Sequence, residues 1–370
     1  MNKLAVIGAS YLQLPLVLRA KKMGIITICF AWAEGAVCKD VADKFYPISI
    51  VEKEQILAIC QHEHINGVCT IASDVAAPTV AYIAEQMGLV GNSYECALQA
   101  NNKFLMRQAF VSAGILSPMY VCVEKEEHIE ELSGLKFPLI IKPTDRSGSL
   151  GVMKIENEED LLPAIKAAQD LSFKHEAIVE QYIEGREISV EFISYKGIHY
   201  PLQITDKVTT GAPHFVEMEH HQPADLSESQ YEKIYSITKQ ALTALGVTNG
   251  ASHSEYRITK EGEIYIMEVG ARMGGDFIGS DLVQLSTGYD FLRGVIEVAL
   301  GTFNAPQLTE HNYSGVYFLC EETKHLLPLF TQALPYLIKA EQTTNELLTP
   351  SCSAERSGYI IYQNDKKVLL

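Results

Sequence analysis

Residues 263–277 read EIYIMEVGARMGGDF. The segment opens as a buried strand, with Ile264, Ile266 and Met267 apolar and strand-compatible. Glu268 then closes the apolar run, and a glycine, an arginine and a Gly-Gly pair follow within seven residues. Upstream, HSEYRI at 253–258 alternates as a half-buried strand does, and TKEGE between the two reads as a turn around Gly262. A regular hairpin with Thr259 opposite Ile264 sets Arg257 against Ile266, Glu255 against Glu268 and His253 against Gly270. Two carboxylates directly opposite on one face repel each other, so this register demands a cation. Oxygen-only ligands suit a hard ion such as Mg²⁺, held by one or two carboxylates together with substrate phosphates. A slip of one residue would send the two glutamates to opposite faces. The plainer alternative is an exposed hairpin whose glutamates face solvent. The glycines after Glu268 would let backbone approach a ligand closely. Arg272 offers a planar fork for phosphate or carboxylate oxygens.

The chain has 370 residues, enough for two or three domains with real cores. Its 47% hydrophobic and 21% charged content is that of a soluble globular protein. No apolar run approaches the roughly 20 residues that span a bilayer. The opening MNKLAVIGAS enters a strand-like run rather than a signal peptide, so a cytoplasmic protein is expected. Eight scattered cysteines (29, 38, 60, 69, 96, 122, 320 and 352) form no CxxC pair. They read as reduced core residues rather than as thiol nucleophiles or metal ligands. A net charge of −16 argues against nucleic acid or an anionic membrane as partner. It leaves a small anionic ligand open, because charges beyond about 8 Å are largely screened at physiological salt.

Residues 1 to about 95 alternate strand and helix patterns: KLAVIGA, a helix from Leu12 to Met23, GIITICF, a helix over 51–64, INGVCTI and a helix over 76–87. Such alternation predicts a parallel sheet with helices on both faces. The first turn, GASYLQ, is not GxGxxG, and no acidic residue closes the second strand, so a working NAD site is not expected there. After residue 100, NNKFLMRQAFVSAGI reads as a helix ending at Gly114. FPLIIKP is a strand that enters the loop TDRSGSLGV, and AIVEQYIEGREISVEF is two strands joined at Glu184-Gly185. Residues 206–226 read as a loop carrying three histidines, and 227–245 as a long helix. YSGVYFL and GYIIYQN give the C-terminal segment its strands. Lys142, at the end of an apolar strand, is costly to bury unless an anion meets it, or else it snorkels to the surface. Ser147, Gly148 and Ser149 would let successive N–H groups converge on phosphate oxygens, unless the loop is merely flexible.

In this order and spacing the motifs resemble those of the ATP-grasp superfamily of carboxylate–amine ligases, along nearly the whole chain. Glu255 matches the glutamate of its first metal strand. EVGAR, 268–272, matches its second metal signature, Glu-[Ile/Val]-Asn-x-Arg, with Gly270 where the asparagine belongs. The resemblance implies an α/β ATP-grasp fold with three parts: a Rossmann-like parallel-sheet domain over 1–95, an ATP-grasp domain over 96–304 with a lid subdomain at about 115–190, and a small α+β segment over 305–370. It implies that Glu255 and Glu268 hold metal. Lys103 and Lys142 would contact ATP phosphates under a lid with Ser147, Gly148, Ser149 and Gly151. Glu180, Gln181, Tyr182 and Ile183 would surround adenine, and Glu187 the ribose. Lys142 and Arg272 would serve the chemistry, Arg272 on the transferring phosphoryl group. The cofactors implied are ATP and Mg²⁺, with Mn²⁺ able to stand in, and a homodimer is expected.

The activity so implied is activation of a carboxylate as an acyl phosphate and its capture by an amine. The substrates would be small molecules, with no nucleic acid and no membrane. GARMGGDFI is similar to enzymes that join amino acids, which points to an amino-acid or small-peptide ligase. The region 206–226 offers His214, Glu217, Glu219, His220 and His221 to a substrate, and an acidic group there suits an amino group. Adjacent His220 and His221 make a poor zinc pair, since neighbours point apart. Other readings stay open: a purine-biosynthesis or biotin-carboxylase-like ATP-grasp enzyme, or a nucleotide-binding module without catalysis. The latter is kept alive by Gly270, for which a water, Asp276 or His253 could substitute.

Overall fold

The computed structural model describes residues 1–370 apart from 126, 127 and 129. Its first sheet is parallel, in the order Lys44–Tyr46, Ile26–Phe30, Lys3–Ile7, Gly67–Cys69. Helices Leu14–Lys22 and Lys53–Glu63 cross over between these strands, and Ala77–Met87 follows the last of them, as the alternation requires. A small antiparallel sheet, Tyr120–Val123, Ala177–Gln181, Leu139–Pro143, Met153–Ile155, packs on helix Leu161–Leu171 through Ile141, Ile165, Ala168 and Val179.

The central sheet has eight antiparallel strands, in the order Ile264–Gly270, Gly250–Ile258, Arg186–Tyr195, Ile198–Thr209, Glu217–Gln222, Tyr313–Leu319, Gly358–Asn364, Leu337–Gln342. The C-terminal strands thus continue the same sheet. Helix Glu228–Ala244 starts with a capping box at Ser227 and Gln230. It covers one face of the sheet, where Ile234, Ala241 and Leu242 meet Val190, Phe192, Tyr256 and Ile266. The other face carries the polar residues discussed below.

Two expectations are corrected. The stretch 206–226 is not a loop: it includes the end of strand Ile198–Thr209 and all of Glu217–Gln222. EMEHHQ lacks an apolar alternation because both of its faces are covered: His220 and His221 are fully buried and point apart. The hairpin register is the second. Ile258, not Thr259, pairs with Ile264, and Arg257 pairs with Tyr265. Met267 is then an extra residue, a β-bulge between the pairs Tyr256–Ile266 and Glu255–Glu268. In an unbroken strand Ile264, Ile266 and Glu268 would share a face. The bulge turns Glu268 out of the core and sends Val269 into it. Beyond the bulge, the expected pairs Glu255–Glu268 and His253–Gly270 hold.

At the far edge of the parallel sheet, Glu63 closes its helix onto strand Lys44–Tyr46. Lys44 Nζ lies 2.8 and 2.7 Å from its two oxygens, and Tyr46 Oη donates at 2.6 Å. These hydrogen bonds hold the Glu63 carboxyl at about 2, below its ordinary 4.5. A depressed carboxyl contributes stability above its unfolded value and loses it as pH falls through the folded one. Wild-type protein should therefore lose stability relative to Glu63→Gln as pH falls from 4.5 towards 2, measured as the difference in urea midpoint.

Candidate active site

Four neighbouring strands of the central sheet present a polar field on the face opposite helix Glu228–Ala244. His253, Glu255 and Arg257 alternate along one strand and face Glu191, Ser189 and Glu187 on the next. Lys207, opposite Glu187, follows on the third strand, and His220, opposite Lys207, on the fourth. Glu268 lies on the outer side of Glu255.

The two facing carboxylates are each met by a lysine. Lys207 Nζ lies 2.5 Å from Glu255 and 2.8 Å from Glu217, and Lys103 Nζ lies 3.2 Å from Glu268. His253 sits between Glu191 and Glu255 Oε1, the latter 3.4 Å from its Nε2. Burial alone would push His253 down, but Glu191 and Glu255 outweigh it and push it up to about 9. The imidazolium is thus charged at neutral pH. Burial likewise opposes ionisation of Glu255, and Lys207 and His253 hold it well below the carboxylate range. The cations that the facing glutamates demand are therefore supplied by the chain itself. The side chains of Glu255 and Glu268 remain 36% and 28% exposed to the cleft. Two partly open carboxylates on adjacent strands fit a hard divalent ion, with the lysines free to turn to phosphate oxygens when it binds. His253 and Asp276, named above as substitutes for the missing asparagine ligand, are each engaged by other side chains here. Both ring nitrogens of His253 face carboxylates, Glu191 and Glu255, and Asp276 is held by Arg356 at 2.8 and 2.9 Å.

The other expected residues fall around this pair. Helix Lys103–Ser112 is capped by Asn102 and tied at its first N–H to Thr144 O, 2.8 Å away. Lys103 Nζ also contacts Arg146 O at 2.6 Å, which links the lid to Glu268. Lys142, next to last in its strand, lies beside Glu180, 2.8 Å away. Glu180 is itself gripped by Arg107 at 2.7 Å and is 1% exposed, so its side chain is a buried counter-ion. Burial raises the Glu180 carboxyl, and Arg107 and Lys142 outweigh that to hold it low. Gln181 ends the same strand, and Tyr182 is flanked by the cations of Lys154 and Arg257. Arg257 pairs with Glu187 and donates to Ile183 O at 2.7 Å, closing this edge. In the lid, Gly148, Ser149 and Gly151 take positive φ of 65°, 57° and 75°. This left-handed backbone suits a loop whose N–H groups turn to one side. Arg272 does not reach into the cleft unaccompanied: Asp74 of the parallel-sheet region binds it through both oxygens at 2.7 Å.

Glu217, His220 and Asp276 form a second cluster, their polar atoms within 4.8 Å of one another. Burial pushes His220 down to about 3, so its ring is neutral, and neither ring nitrogen has a hydrogen-bond partner among the described residues. Lys207 and Arg356 already neutralise the two carboxylates, which leaves little call for a metal here. His221 turns away to Tyr362 and Glu219, 2.9 and 2.8 Å off, and His214 is exposed.

Sequence reasoning missed Arg107, Lys207, Glu191, Asp74 and Arg356. Arg107 had a signal, four residues after Lys103 and so on the same helix face. The others became neighbours only through pairing of distant strands.

Residues 135–281 match the family model described as ATP-grasp domain. Among curated relatives, the chain is 30% identical over 263 residues to alanine–anticapsin ligase of Bacillus subtilis (strain 168), covering 63% of this chain and 55% of that one. The chain thus spans about half the length of that relative. Two solved structures are similar over 99% of this chain and 94% of theirs. They are L-amino acid ligase from Bacillus licheniformis (22% identity, TM-score 0.81) and phosphoribosylglycinamide synthetase from Anaerococcus prevotii (21%, 0.79). The chain therefore carries an ATP-grasp domain within an ATP-grasp fold, as its motifs led one to expect. Among the described residues, no helix is long and apolar enough to cross a membrane.

Arg107 offers a direct test of the buried network. Arg107→Met leaves Glu180 with Lys142 alone and should cost about 3–5 kcal/mol of stability, the usual penalty for stripping a partner from a buried carboxylate. Urea unfolding with an unchanged slope would verify it.

Proposed function

We propose that this protein is an ATP-dependent carboxylate–amine ligase that joins an amino acid or small peptide to a second small molecule. The observation that carries the reading is the facing pair Glu255 and Glu268, ringed by Lys103, Lys207 and Arg272. In the first step a carboxylate oxygen of the substrate bonds to the γ-phosphorus of ATP, the bond from that phosphorus to the bridging oxygen breaks, and ADP leaves. In the second, an amine nitrogen bonds to the acyl carbon, phosphate departs, and the nitrogen gives up a proton. Neither step calls for a protein nucleophile. Positioning and charge neutralisation carry the chemistry.

Glu255 and Glu268 would hold Mg²⁺, or Mn²⁺, which supplies charge neutralisation at the phosphates. Lys103 and Lys142 would bind phosphate oxygens. Ser147, Gly148, Ser149 and Gly151 would close over them and exclude water, which otherwise hydrolyses an acyl phosphate. Backbone around Glu180, Gln181, Tyr182 and Ile183 would frame adenine, and Glu187 the ribose. Glu217, once Lys207 turns from it to a phosphate, would accept hydrogen bonds from the ammonium group of an amino-acid substrate. The name of the Bacillus licheniformis neighbour, an L-amino acid ligase, agrees with this substrate class. The same reading places the protein in the cytoplasm, as a homodimer.

ADP release from Mg·ATP should rise when pooled amino acids and small carboxylic acids are added. Glu268→Ala should cut that stimulated rate by about a hundredfold or more, because it removes charge stabilisation where phosphoryl charge develops. Nucleotide binding without any stimulated turnover would defeat the ligase reading.

A further inference from the structure

The sequence departs from its signature at Gly270, and the structure puts a specific object beside it. A Cβ on residue 270 would lie 3.0 Å from Asp74 Oδ1, 3.1 Å from Arg272 Cζ and 3.2 Å from Arg272 Nε. Gly270 sits at the end of a regular strand and is not among the glycines with positive φ. Space, not backbone conformation, is what a side chain would lack there. A side chain at 270 would press on the Asp74–Arg272 pair, which would have to shift to admit it.

Asp74 comes from far away in sequence. It follows strand Gly67–Cys69 at the carboxyl edge of the parallel sheet, in a segment docked against residues next to Arg272. Ile71 forms a parallel bridge with Met273, and Ala72 N–H donates to Met273 O at 3.1 Å. Ala72 adopts a left-handed φ of 55°, and Gln13 Nε2 holds Ile71 O at 2.7 Å. The segment is thus braced from both sides, and Asp74 meets Arg272 in side-on geometry: Nε donates to Oδ1 and Nη2 to Oδ2, both at 2.7 Å. Arg272 Nη1 donates to Met273 O at 3.3 Å. A guanidinium has five N–H donors. Three are used, and the two remaining hydrogens, one on each Nη nitrogen, can serve a single oxyanion.

We propose that Asp74 is a positioning residue for Arg272, and that Gly270 is the space that admits the pair. Asp74 takes one edge of the guanidinium and aims the other at the oxyanion transferred in the cleft. An arginine on its four-torsion stem would otherwise be free to turn to Glu268 and Glu255, whose charges already act on it. The parallel-sheet region thereby completes a site built otherwise on the central sheet. This rests on the ligase reading, in which a phosphate-like oxyanion forms beside Arg272.

The test is equilibrium binding of orthovanadate to the whole chain saturated with Mg·ADP, for wild type, Asp74→Asn, Gly270→Asn and the double variant Asp74→Ala/Gly270→Asn. Asp74→Asn should weaken vanadate binding by about tenfold or more, the usual scale for losing a group that orients a ligand-binding side chain. Each variant is saturated according to its own Mg·ADP affinity, measured first, so that a released Arg272 turning to Glu268 or Glu255 is not counted as lost vanadate binding. Gly270→Asn should show the same loss, and it reads the geometry from the other side should Asp74→Asn fail to fold. In the double variant, removal of the Asp74 carboxylate makes room for the new amide but leaves Arg272 unheld, so vanadate binding should stay as weak as in Asp74→Asn, and recovery to the wild-type affinity would overturn the proposal. Vanadate affinity unchanged in Asp74→Asn, or in Gly270→Asn, would overturn the proposal alone. Wild-type protein that binds Mg·ADP but no vanadate would overturn the ligase reading and this proposal with it.

Discussion

The guanidinium of Arg107 is fully buried, and three parts of the molecule meet on it. It grips Glu180 on the small sheet, whose other oxygen holds Lys142. Its Nη2 donates to Met267 O at 2.6 Å, the carbonyl of the bulged residue in the central hairpin. A bulge leaves a backbone group outside the ladder, and a buried carbonyl without a partner is costly. Arg107 meets that need and so stabilises the irregularity that turns Glu268 into the cleft. One buried cation thus sets the place of Lys142 and the face of Glu268, which lie on different sheets and are 126 residues apart in sequence.

Charge in the cleft follows from this scaffold. The chain is acidic overall, yet its cations gather where carboxylates have been brought together: Lys103 on Glu268, Lys207 on Glu255 and Glu217, His253 on Glu191, and Arg272 on Asp74. Each pair is largely withdrawn from water, where Coulomb attraction is strong and screening weak. A buried pair of this kind is poor evidence for stability, since desolvation offsets most of the attraction. Its value is readiness. In the proposed ligase, Lys103 and Lys207 would pass from their carboxylates to an incoming polyphosphate, and Glu268 and Glu255 would then take a metal.

Much of this was legible in local pattern. Strand–helix alternation announced the parallel sheet, and the small residues after Lys142 announced a loop, whose left-handed backbone came only with the structure. The opposition of Glu255 and Glu268 was also legible, although the regular register behind it fails near the turn. The polar strand Glu217–Gln222 was read as a loop, because apolar alternation is the mark of a half-buried strand and here His220, His221 and Gln222 take the buried positions. Asp276 and Arg356 stand 80 residues apart, and only the extension of the central sheet by the C-terminal strands brings them together.

By itself the sequence determined which residue types recur at which spacing, and so the succession of elements and the class of fold. That is local information: hydrophobic period, turn chemistry and the short-range order of motifs. The tertiary structure decided which charge meets which. The bulge at Met267, the burial of Glu180 between Arg107 and Lys142, and the meeting of Asp74 with Arg272 beside Gly270 all join residues far apart in the chain. Such contacts cannot be read from spacing, because the energy of a charge in a protein is set by what surrounds it in space, and that is known only once the sheets have closed on one another.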